Sequence, residues 1–315
     1  MEITKELWDY FAAHNVGYSA KKRALETFME FTKDVDEGLL ALILQKVQAE
    51  NFHFSESKSA YVSPYWKKIC FPYRSERRFS AFHELGHVVD FVSGDCTEKP
   101  KKNGGKRICY NTRWHTNEYR FSSGQTLDEI VRNEIKTNEK RLLRELLESL
   151  NREVLEELEV DGESFLSYGV LCAQHSHLVR KYKRMKDWEC AEAQALKADI
   201  RKLEAEIDTH MEAKTTVHDA AAFAEFVKKY RLLCDIVSGY YDTSYFLPGH
   251  SRSYMQASGG FGAEFFAEMF ASMAIGDDAS LQRARTWLPA SCSAFSELLQ
   301  HLLAVAWQNT ESAVL

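Results

Sequence analysis

The run His83-Glu84-Leu85-Gly86-His87 carries residue types at a spacing that suits chemistry on a metal ion. Two histidines four apart on a helix lie one above the other, so both imidazoles can reach one ion. Glu84 projects at a neighbouring angle, where its carboxylate can face a water on that ion without ligating it. Zinc suits such a pair. It lowers the pKa of its water to about 7, and a carboxylate base takes the proton as the water attacks a carbonyl. Phe82, Leu85, Val88 and Val89 supply apolar packing that supports a helix here. With 11 histidines in 315 residues, chance would place such a run in the chain with a probability of about a few per cent. The plainer alternative is a partly buried helix whose two histidines are simply hydrogen-bonded.

A catalytic zinc takes three protein ligands and keeps a fourth position for water. Residues 88–95, Val-Val-Asp-Phe-Val-Ser-Gly-Asp, bring no further histidine. Far downstream stands Glu264-Phe265-Phe266-Ala267-Glu268-Met269-Phe270-Ala271. Its two carboxylates are four apart, share a helix face and sit among apolar residues. A buried carboxylate is costly unless paired or on a metal. Taken alone the pair reads as a solvated face; beside the histidines it reads as the source of the third ligand.

HELGHVVDF followed much later by AEFFAEMF resembles the gluzincin metallopeptidases, with a layout most similar to the lethal-factor type. Asp235-Ile236-Val237-Ser238-Gly239, then Gly249-His250-Ser251-Arg252-Ser253-Tyr254, also resemble zincin-like domains often encoded near phage genes. The resemblance covers residues 60–95 and 234–275. It implies His83, His87 and Glu264 as zinc ligands and Glu84 as general base. It also implies that Glu268 orients a ligand histidine, as metal-bound imidazoles generally require. Asp90, one turn beyond His87, is a further candidate for that orienting role. In the lethal-factor type a tyrosine shortly before the glutamate ligand stabilises the oxyanion, but the equivalent position here is Ala257. The expectation passes to Tyr254, with His250 as partner or substitute, against the alternative of two hydrogen-bonded loop residues. Gly259, Gly260 and Gly262 give the intervening loop room to turn.

The elements that must hold these residues follow from periodicity. Residues 1–50 repeat apolar positions at helical spacing (Ile3, Leu7, Phe11; Leu25, Phe28; Leu40, Ile43, Val47). Phe52, Phe54, Tyr61, Val62, Tyr65, Ile69 and Phe71 favour strands, and Pro64 marks an edge strand because it has no N–H for a ladder. Residues 97–118, basic and glycine-containing, read as a solvated loop, with docking of an acidic partner as the alternative. Leu127, Val131, Ile135, Leu142, Leu146, Leu150, Val154 and Leu158 predict a long amphipathic helix, interrupted at Asp161-Gly162. Further helices are predicted over roughly 163–214 and 218–238.

The resulting division is an N-terminal helical region 1–50, a first core part 51–125, an inserted helical hairpin or bundle 126–238 and a second core part 239–315. The fold class expected is α+β, a helix-rich zincin-like core with a small sheet. A net charge of −6 argues against a general nucleic-acid binder. No apolar run approaches the roughly 20 residues that span a bilayer. The N-terminus lacks the pattern of a signal peptide, so a cytoplasmic protein is expected. Seven cysteines (70, 96, 109, 172, 190, 234, 292) never occur as CxxC and read as free thiols.

Together these readings predict a zinc metallopeptidase acting on a protein or peptide, with an extended substrate laid along the Pro64 edge strand. The inserted helices are a candidate surface for a protein partner. The alternative function is a binding or structural protein, phage- or mobile-element-associated, on a zincin scaffold with weak or lost activity. A toxin cleaving one host protein is a third reading, resting on family analogy.

Overall fold

A computed structural model describes residues 19–72, 78–100, 106–241, 246–256 and 259–314. The chain divides into two compact units, Met1–Glu134 with Phe261–Leu315, and Ile135–Gly260.

In the first unit, helices α1 (Ser19–Phe31) and α2 (Glu37–Ala49) precede strands β1 (His53–Ser57), β2 (Tyr61–Ser63) and β3 (Lys68–Pro72). Asp36 starts α2 by accepting the amides of Gly38 and Leu39. The three strands form a sheet in the order β1-β3-β2, with β1 parallel and β2 antiparallel to β3. β2 is therefore an edge strand, and Pro64 follows directly where it stops, in keeping with the missing donor of proline. Phe54 and Phe71 pack with Phe28 of α1 at ring separations of 4.9–5.7 Å, and all three are buried. Each such ring contributes about 1.5–3 kcal/mol through removal of apolar surface from water.

Helix α3 (Arg78–Asp90) carries the HELGH run and packs beneath β2 and β3. Its start is tied to the end of α1, where Arg78 Nε donates to the Phe31 carbonyl at 2.9 Å. A hairpin of β4 (Phe91–Pro100) and β5 (Lys106–Trp114) follows, leading into the short α4 (His115–Glu118). This corrects the expectation of a solvated loop over 97–118. Pairing supplies partners for the backbone whatever the side chains, so basic residues can occupy a ribbon that reads as loop by composition. Residues 101–105 of the candidate docking patch lie outside the described residues.

Helix α5 (Leu127–Leu150) opens with a reciprocal cap: the Thr126 amide donates to Glu129 Oε2, and Thr126 Oγ1 accepts from the Glu129 amide. Its first two turns belong to the first unit. Asp128 Oδ1 accepts the Gly262 amide at 2.8 Å, and Glu134 accepts the amides of Ala290 and Ser291. The rest of α5 ends in a π-turn (Asn151–Leu155) and opens the second unit. There it is joined by α6 (Gly162–Lys183), α7 (Ala191–Asp208), α8 (Met211–His218), α9 (Ala221–Lys229), α10 (Arg231–Tyr241) and α11 (Arg252–Met255). The ion pairs Lys181–Glu192 and His175–Glu204 show α6 and α7 running antiparallel. Asp161 caps α6, which accounts for the interruption read at Asp161-Gly162.

Every described element of the second unit is helical, and the unit runs from Ile135 to Gly260. At the near end the capping contacts of Asp128 and Glu134 hold the first turns of α5 in the other unit. At the far end Gly249 lies against Asp235 and Ser238, and Gly239 against Met255, which keeps residues 246–256 with the helices.

Helices α12 (Gly260–Ala274), α13 (Asp278–Trp287) and α14 (Pro289–Val314) complete the chain, and α14 packs on α2 and α13. Phe261 through Ser272 of α12 are all buried, the pattern of a helix surrounded by protein. Among the described residues no helix is long and apolar enough to cross a membrane, and Cys70, Cys172, Cys190, Cys234 and Cys292 are in no disulfide.

Candidate metal centre

Helix α3 presents His83 and His87 one turn apart, and α12 presents Glu264 and Glu268 one turn apart, so two i,i+4 pairs face each other. Gly86 allows the approach. A Cβ built there would sit 2.8 Å from the Ala267 Cα and 3.3 Å from both the Ala267 carbonyl and the Phe270 Cβ. The glycine of HELGH thus lets the two backbones meet. Gly262 does the same at the start of α12, where a Cβ would lie 2.7 Å from the Asp128 Cα. Behind the carboxylates, Phe266 packs with Phe270 and Phe295 and fixes the rotation of α12.

His83 Nε2 lies 3.1 Å from Glu264 Oε2, and His87 Nε2 lies 3.5 Å from Glu264 Oε1. One ligand atom from each of the three residues falls within 4.8 Å of the other two, a grouping that could hold a metal ion. Glu264 is 2% exposed and His87 8%. A buried carboxylate between two imidazoles needs a proton or a cation there. Among the described groups His83 supplies that charge. Burial would lower the His83 pKa, but Glu264 and Glu268 beside it raise it well above 6.5. Burial would raise Glu264, but His87 and His83 hold it well below 4.5. In the metal-free protein the cluster is therefore an ion pair, and a divalent cation would take the place of the imidazolium proton. The donor set, two imidazoles and one carboxylate, fits such a cation.

Glu268 Oε1 lies 3.3 Å from His83 Nδ1, on the far side of the ring from Glu264. The contact is close enough for charge pairing but imperfectly aligned, since Nδ1 falls short of full hydrogen-bond geometry.

Asp90 departs from its expected role. It is fully buried, and its two oxygens accept from the Thr116 amide and hydroxyl, each at 2.8 Å. Burial pushes its pKa up to about 7 despite those bonds. Asp90 thereby anchors the turn from β5 into α4, and this turn carries Trp114. The Trp114 ring packs 5.7 Å from His87 and 6.1 Å from Phe91. Asp90 thus bears on His87 through a packed ring. Lys46 supports the same turn by donating to the Phe91 carbonyl at 2.9 Å and lying 3.1 Å from His115 Nε2. Burial and that ammonium together press His115 down to about 4, so its ring is neutral and accepts.

Glu84 stays out of the His–Glu cluster. Its Oε2 accepts the Val62 amide of β2 at 2.8 Å.

His250 and Tyr254 lie in the second unit, where they stack with ring centroids 4.3 Å apart. Asp235 Oδ1 accepts both the His250 amide at 2.6 Å and the ring Nδ1 at 2.9 Å, which fixes the imidazole's orientation. Tyr254 is 49% exposed on α11, which Ser251 caps. The zinc-ligand candidates belong to the other unit.

Sequence reasoning missed Val62, Trp114, Thr116 and Asp235. Asp235 stood within a quoted motif, and its spacing of 15 from His250 carries no helical or strand signal. Val62 acts through its backbone, which leaves no trace in residue type. No protein-family model, curated protein or solved structure matches the chain.

Proposed function

We propose that this protein is a zinc-dependent hydrolase of peptide bonds built on a zincin-like core. The observation that carries the reading is the convergence of His83 Nε2 and His87 Nε2 on the two oxygens of buried Glu264, at 3.1 and 3.5 Å. Two imidazoles and one carboxylate, with a further carboxylate one residue from the first histidine, are the donor set of catalytic zinc sites in metallopeptidases. Bound zinc would supply Lewis-acid polarisation of a carbonyl and increase the acidity of water.

The protein's own groups then divide the work. His83, His87 and Glu264 would hold the ion. Glu268 would keep the proton of His83 on Nδ1, leaving Nε2 as the ligand atom. Glu84, whose carboxylate is free of the ligand cluster, would take the proton of the attacking water and pass it to the leaving amine. Within the helical unit, Asp235 would hold the His250 proton on Nδ1, leaving Nε2 as an acceptor and the Tyr254 hydroxyl as the donor of the pair.

The test is proteome-wide cleavage profiling of the wild-type protein against Glu84→Gln. New peptide termini that appear with the wild type and vanish with the variant support the hydrolase. Identical profiles from the two proteins contradict it.

A further inference from the structure

We infer that the backbone N–H of Val62 positions the general base, by holding Glu84 Oε2 and leaving Oε1 for the proton it must accept. The inference rests on the hydrolase reading above for its purpose and on geometry for its existence. The Val62 amide donates to Glu84 Oε2 at 2.8 Å. β2 is a three-residue edge strand whose partner β3 lies on one side only. In an antiparallel pair, successive residues alternate between donating toward the partner strand and donating away from it. Val62 donates away from β3, toward α3, between Tyr61 and Ser63, which pair with Cys70 and Lys68. An edge amide that would otherwise stay open to solvent or to another strand is thus spent on the catalytic helix.

The choice of donor suits a base. Glu84 hangs on three side-chain torsions, and one short hydrogen bond removes most of that freedom. The same bond limits how a substrate docks. An extended peptide cannot take the Val62 amide as part of a β-ladder without displacing the base, so the edge strand does not offer that donor to a substrate.

Val62→Pro removes this one donor, and it removes no ladder bond because the amide faces away from β3. We expect Val62→Pro to keep wild-type zinc content and KM while kcat falls about 10–100-fold, measured with the best-cleaved member of a quenched peptide library. A second measurement reads the contact without catalysis. In full-length protein labelled with ¹⁵N-valine, the Val62 amide proton should resonate downfield and exchange slowly. Glu84→Ala should move it upfield and speed its exchange by about tenfold or more. A Val62 amide indifferent to Glu84→Ala, or a Val62→Pro protein with unchanged kcat, overturns the inference. A wild-type protein that binds no zinc and cuts no peptide, yet shows the amide response, overturns the hydrolase reading while leaving the contact in place.

Discussion

Replacing Gly86 by alanine probes the joint between the helices that carry His83, His87 and Glu264. The added methyl would stand 2.8 Å from the Ala267 Cα and 3.3 Å from the Ala267 carbonyl oxygen. Both are backbone atoms, so no side chain can swing aside. Restoring ordinary contact at 3.4–4 Å requires α3 and α12 to part by roughly 0.6–1.2 Å. Overpacking of this kind costs about 1–3 kcal/mol of stability. The functional effect should be larger in proportion, because metal ligands tolerate only about 0.2 Å of displacement and Glu264 sits one turn before Ala267. Zinc affinity should fall at least about tenfold, measured by competition with a fluorescent chelator. Thermal unfolding of the metal-free variant should shift downward by a few degrees. A Gly86→Ala protein that binds zinc as tightly as wild type and melts at the same temperature would refute the account of how the two helices meet.

Other expectations follow from the same site. The metal-free protein should lose stability as pH rises above about 6. His83 is raised in the folded state, so its contribution is complete below 6.5 and lost as pH climbs through the higher folded value; Asp90, raised from 3.8 to about 7, adds a loss that begins near 4 and is complete soon above 7. Glu264, lowered in the folded state, contributes fully above 4.5 and loses its share only in acid. Urea unfolding at pH 6 and pH 8.5 checks this, and equal or greater stability at pH 8.5 would contradict it. Zinc binding near pH 7 should release about one proton per ion as the metal displaces the His83 proton, read by calorimetry in buffers of different ionisation enthalpy. Glu268→Ala should cost about 10–100-fold in zinc affinity or activity. Asp90→Ala should destabilise the fold by about 1–3 kcal/mol through the orphaned Thr116 amide; unchanged unfolding would remove the anchoring role.

Side-chain periodicity made the helices and the site legible. Leu40, Ile43 and Val47 predicted α2, and the HELGH and EFFAE spacings placed four site residues on two helix faces. Where function runs through the backbone, residue types fell silent. Val62 contributes an amide, and Gly86 contributes an absence, read in the sequence only as an unremarkable member of the motif. The β4–β5 hairpin was hidden because its strands carry Lys, Arg and Gly at positions where composition says loop, while pairing depends on main-chain partners. The division into units leaves no mark in residue type, because the carboxylates of Asp128 and Glu134 hold the first turns of one continuous helix in the first unit. Asp90 was read as a partner of the ligand histidine from its one-turn spacing, but helix geometry places a residue on a face without choosing its acceptor, and Thr116 offers two donors at 2.8 Å.

The central claim, that His83, His87 and Glu264 hold a zinc ion, is tested most directly by the metal content of the purified protein. Elemental analysis should find about one zinc per wild-type chain, about one per chain in Glu84→Gln, and a large loss in Glu264→Ala. Absence of metal from the wild type after equilibration with zinc, or equal zinc in wild type and Glu264→Ala, would contradict it.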